Sequence, residues 1–62
     1  MTIRQAGKGV VTSGGGVYDI GFNDGDETQF TAFGMKDLEE LWNGFCEENG
    51  FNKNSVDYVE RA

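Results

Sequence analysis

Apolar and polar residues alternate from Val17 to Phe22, so that Tyr18, Ile20 and Phe22 share one side of an extended chain. Thr28 to Phe33 is a second run rich in strand-forming residues. Asn23-Asp24-Gly25 between them is a hairpin signal. Loop length then decides the register. A two-residue Asp24-Gly25 loop would set Ile20 against Gln29 and mix apolar with polar groups on each face. A three-residue Asn23-Asp24-Gly25 loop pairs Phe22 with Asp26, Ile20 with Thr28 and Tyr18 with Phe30. That register gathers Tyr18, Ile20, Phe22, Phe30 and Ala32 on one side. Because a slip of one residue turns a strand inside out, the three-residue loop is expected, with Gly25 at its left-handed position.

The period changes after Phe33. Leu38, Leu41, Trp42 and Phe45 recur at helical spacing, with Met35 and Cys46 at the margin of the same arc, and predict a helix from Met35 to Asn49. Gly34 serves as its N-cap, Asp37 and Glu39 suit the positive end of its dipole, and Gly50 stops it. Phe33 is expected to staple onto Leu38, and Phe51 to fold back on the last turn. Gly44, inside the helix, costs about 1 kcal/mol relative to alanine. Ser55 to Glu60 reads as a closing strand, with a short helix capped by Ser55 as the alternative. Upstream, Gly9-Val10-Val11-Thr12 is expected to form a first strand turned by Ser13-Gly14-Gly15-Gly16, with Val11 facing the core opposite Tyr18. The expected order is β-β-β-α-β: a single small α+β domain over residues 1–62, with a three-strand antiparallel meander, one helix packed on it, and a fourth strand.

Sixty-two residues bury only about 60% of the surface of the unfolded chain, so such a domain is marginal. A single cysteine cannot make an internal disulfide, and the eight aromatics must supply much of the core. Self-association would be a further stabiliser.

Composition narrows the chemistry. The chain has no histidine, which leaves Cys46 without an imidazole to activate it, and Cys46 falls where the helix dipole disfavours a thiolate. Gly7-x-Gly9 and Gly14-Gly15-Gly16 do not open a helix and lack the following lysine of a phosphate loop. Asn23-Asp24-Gly25-Asp26-Glu27 lacks the ligand spacing of a calcium loop and is accounted for by turn chemistry. Paired carboxylates suffice for glycoside hydrolysis, but one sheet and one helix offer little material for a cleft. The expectation is a protein with no enzymatic activity, no metal and no cofactor.

Charge points elsewhere. Eleven acidic residues stand against five basic ones, a net charge of −6. Arg4, Lys8, Lys36, Lys53 and Arg61 form no stripe, which argues against direct binding to nucleic acid or to an anionic membrane. The lone cysteine and the lack of a long apolar run fit a cytoplasmic protein. On the helix, Asp37, Glu40, Glu47 and Glu48 lie off the apolar arc, with Glu40 and Glu47 about 10 Å apart at the usual rise. Asp24, Asp26 and Glu27 crowd the hairpin tip, and Asp19 faces out of the sheet. The ordinary reading of such a surface is solubility. The sharper one is a small acidic protein that binds and modulates a larger protein through Asp24, Asp26, Glu27, Asp37, Glu40 and Glu47. Its expected target is a nucleic-acid-handling enzyme whose basic groove accepts a row of carboxylates in place of phosphates. By size and charge, and by no motif, the chain resembles the short acidic inhibitors that phages and mobile elements direct at host enzymes. The alternative is a structural or accessory subunit that self-associates as a homodimer, its charge serving only solubility.

Overall fold

A computed structural model describes residues 1–62. Its elements are α1 (Ile3–Gly7), β1 (Gly16–Phe22), β2 (Glu27–Ala32), α2 (Met35–Asn49) and β3 (Val56–Arg61). The three strands form one antiparallel sheet in the order β2-β1-β3, with α2 packed on one side. This is the small α+β architecture expected from the hydrophobic pattern.

The hairpin has the three-residue loop. Tyr18 pairs with Phe30 and Ile20 with Thr28, and the Phe22 N–H closes the ladder on the Asp26 carbonyl at 2.8 Å. Gly25 sits at φ 94°, which a side chain would resist, and its N–H donates to the Phe22 carbonyl at 3.0 Å. The Asp24 carboxylate accepts the Asp26 N–H at 3.0 Å and stiffens the tip.

Helix α2 occupies the expected span. Its N-terminus is secured by Asp37, whose carboxylate reaches back to accept the Phe33 N–H at 2.9 Å. At the other end Gly50 is left-handed, and the Phe51 N–H returns to the Cys46 carbonyl at 3.0 Å. Phe51 then stacks on Phe45, with ring centroids 5.7 Å apart, and meets Phe22 edge-on at 5.2 Å. The staple from Phe33 does not form, since Phe33 is 82% exposed and only its backbone is held. The core centres on Tyr18, Ile20, Phe22, Leu38, Trp42, Cys46, Val56 and Val59. Trp42 is fully buried, and its indole N–H finds the Lys53 carbonyl at 3.0 Å, so the ring carries no unpaired donor inward.

The strand expected over Gly9–Thr12 is not formed, and the order is α-β-β-α-β. A strand has two edges, and those of β1 are taken by β2 and β3. The N–H groups of Val10 and Val11 turn back instead to the Gly7 carbonyl, at 3.0 and 2.9 Å. Val11 still packs half-buried against the core, from a loop rather than a strand. Ahead of it, Thr2 and Gln5 form a reciprocal capping box that starts α1, and Ile3 inserts into the core. The closing strand does form. Its pairing with β1 places Tyr58 opposite Gly21 and Glu60 opposite Asp19.

No helix is long and apolar enough to cross a membrane.

Candidate functional site

The register of the central strand sorts the carboxylates. Residues of β1 with even numbers face α2, and those with odd numbers face a side of the sheet on which no helix lies. On that open side Asp19 stands between Gln29 of β2 and Glu60 of β3, while Gly21 stands between Glu27 and Tyr58. Gln29 donates its side-chain amide to Asp19 at 2.8 Å, and the Tyr58 hydroxyl donates to Glu27. Gly21 is required there by space. The Tyr58 ring lies across it so closely that a Cβ at position 21 would fall 1.9 Å from the ring.

Asp19, Glu27 and Glu60 thus surround one phenol. The hydrogen bond to Glu27 is the main reason the Tyr58 hydroxyl is pushed up to about 12, with desolvation and the charges of Glu27, Glu60 and Asp19 adding to it. The direct opposition of Asp19 and Glu60 is a like-charge cross-strand pair, which costs stability rather than adding to it.

A second acidic surface lies along α2. Glu40, Glu47 and Glu48 rim a shallow groove of about 660 Å³ between α2 and β2, floored by Phe30, Leu41, Gly44 and Phe45. Leu41, expected in the core, is 38% exposed here. Phe30, expected between sheet and helix, is half-buried and meets Phe45 edge-on at 5.7 Å. Glu47 is paired with Lys53 at 3.1 Å, on the side of α2 where the chain returns toward β3.

The expected site residues therefore separate into different places. Glu40 and Glu47 come together at the groove. Asp24 and Asp26 stand exposed at the hairpin tip, and Glu27 points onto the open sheet side with Asp19. Asp37 is half-buried and engaged with the Phe33 amide, beside a second hollow formed by Val11, Met35 and Phe33. Glu48 and Glu60 belong to the acidic surfaces and were outside the expected set. Glu48 was legible from its place beside Glu47. Glu60 was not, because only strand pairing brings it to Asp19.

Two of the eleven carboxylates, Glu39 and Glu47, are paired with a cation, Arg4 and Lys53 respectively. Arg61 is used internally: it donates to the Gly15 carbonyl at 2.9 Å and lies 5.8 Å above the Tyr18 ring. No three carboxylate or thiol groups converge as a metal site would require. Cys46 is buried in the core, and that burial, more than the opposing attraction of Lys53, raises its thiol above the usual value.

No family model matches the chain, and neither a curated protein nor a solved structure matches it significantly.

Proposed function

We propose that this protein is a small acidic binding module that attaches to a basic surface of a larger protein and modulates or inhibits it. The observation that carries the reading is the scarcity of internal compensation: seven of the eleven carboxylates are exposed and unpaired with cations, and five of those seven are held on a helix or a strand. Carboxylates fixed on a helix and a sheet need little ordering when a basic partner arrives, so more of the attraction is retained as affinity. A nucleic-acid-handling enzyme is the target class whose surface fits best, because its groove is built to attract rows of negative charge. Such binding involves no catalytic step and no cofactor, and a lone reduced cysteine suits the cytoplasm.

The test is capture of partners from a cell lysate on the immobilised protein, followed by affinity measurement at low and high salt. Binding should weaken with salt, since exposed charges are screened beyond about 8 Å at physiological ionic strength. Glu40→Lys with Glu47→Lys should weaken it further without unfolding the domain, and duplex DNA should displace the partner. Salt-independent binding that survives both substitutions would overturn the proposal. It would favour the accessory-subunit reading, in which the charge serves solubility.

A further inference from the structure

The groove rimmed by Glu40, Glu47 and Glu48 lies beside an unpaired strand edge. In the β1–β2 ladder, the Phe22 N–H donates to the Asp26 carbonyl while its carbonyl accepts from Gly25, and alternate pairs from there are the bonded ones. The β3 side agrees: Ala62 N–H donates to the Val17 carbonyl and Asn23 N–H to the Ser55 carbonyl, so the odd residues of β1 bond to β3. The backbone N–H and C=O groups of Glu27, Gln29 and Thr31 consequently point away from the sheet. β2 is its outer strand, and no segment of the chain runs alongside it. It contains no proline and no lysine, the residues that commonly protect such an edge.

Gly44 sits in the groove floor. A Cβ there would meet nothing within 4 Å, so no internal packing asks for glycine, although glycine weakens the helix. What the missing side chain does is keep the groove open next to Phe30 and Phe45.

We propose that this groove takes an extended segment of a basic protein, added as a fourth strand to β2. Side chains of an added strand alternate between the two sides of the sheet. An apolar side chain opposite Phe30 would rest on Phe30, Leu41 and Phe45. Lysine or arginine two residues before and after it would project on the same side, about 13 Å apart. Glu40 and Glu47 are about 10 Å apart along α2, a difference that flexible basic side chains accommodate. A second copy of β2 fits poorly, because Glu27-Thr28-Gln29-Phe30-Thr31-Ala32 brings no cation to the three glutamates and adds another carboxylate. The inference rests on the reading of the chain as a binder of basic proteins, and it names the segment that is bound.

The probe is the acetylated, amidated peptide Thr-Lys-Thr-Ile-Thr-Lys-Thr, titrated into isotopically labelled full-length protein and followed by amide chemical shifts. Saturable shifts are expected at Gln29, Thr31 and Gly44. Gln29→Pro removes an outward-facing donor, and Gly44→Leu fills the floor. Each should weaken binding about tenfold or more while changing no charge. N-methylation of the peptide at alternate amides should do the same, and it requires no variant to fold. Replacing both lysines with glutamate should abolish binding. Absence of saturable shifts at millimolar peptide, or binding indifferent to peptide N-methylation, would overturn the proposal. So would a wild-type dimer in sedimentation that Gln29→Pro dissolves, since the edge would then serve a second copy. If Gly44→Leu and Gln29→Pro leave a captured basic partner bound while Glu40→Lys with Glu47→Lys releases it, the strand-addition proposal fails and the acidic-module reading stands. If the peptide binds but no basic protein is captured, that reading fails and the groove remains.

Discussion

The two edges of the sheet are treated differently. At β3 the chain covers the start of its own edge: the Met1 ammonium donates to the carbonyls of Val56 and Asn54 at 2.9 and 3.0 Å, and the Val56 N–H donates to the Met1 carbonyl at 3.2 Å. Helix α1 packs against the same region, with Ile3 only 2% exposed. At β2 nothing comparable exists. Its outward amides are bare, its one large apolar side chain is half-buried, and the helix face beside it is acidic. The difference teaches where new contacts can form without disturbing old ones. A partner at the start of β3 would have to displace the N-terminus, whereas a partner at β2 finds unpaired backbone and an open groove.

The largest expected effect tests the covered edge. Ile3→Ala should cost about 2–5 kcal/mol, as buried isoleucine truncations do. That is a large share of the stability of so small a domain, measured by denaturant unfolding. A loss well under 1 kcal/mol would mean that α1 decorates the fold rather than closing it. Phe30→Ala, at the bare edge, should cost roughly 2 kcal/mol, less than the 3–5 typical of a fully buried phenylalanine. A loss as large as that of a fully buried phenylalanine would show the β2 side to be as well sealed as the β3 side. Gly44→Ala should stabilise the domain by about 1 kcal/mol, since it gains helix propensity and meets no neighbour. A loss of stability there would contradict an open groove.

The smallest effect concerns the side of the sheet that no helix covers. Tyr58 is raised in the folded state from its ordinary value of 10.0 to about 12. The unfolded chain releases that proton first as pH rises, so the contribution of Tyr58 is intact below pH 10 and is lost between pH 10 and about 12. Thermal melting across this range should show a decline that Tyr58→Phe reduces. An identical decline in that variant would remove the Tyr58–Glu27 contact as its cause.

How much was legible in the chain depended on the range of the interactions. The hairpin register followed from Tyr18, Ile20 and Phe22 together with Asn23-Asp24-Gly25, because the alternation and the loop lie within one short stretch. The span of α2 followed from its period and from Gly34 and Gly50. The first helix was missed although Thr2-x-x-Gln5 carries a capping signal, since five residues are too few to show a helical period, and the β-branched pair Val10-Val11 beyond it reads locally as a strand. Leu41 and Phe30 were placed too deep for another reason. Helical spacing and strand parity show which side a residue faces, but how far that side is covered depends on the neighbouring element.

The sequence alone determined the α+β class, the β1–β2 register and the acidic character of the surface. Each depends on contacts between residues near in the chain or on composition. Tertiary structure decided which strands flank β1, and through that the assembly of Asp19, Glu27 and Glu60 around Tyr58, the capture of Met1 by β3 and the exposure of the β2 edge. The physical reason is that β1 offers hydrogen-bonding groups to two neighbours only. Competition among distant segments for those two places is settled by the burial each achieves against α2, and no local pattern records its outcome.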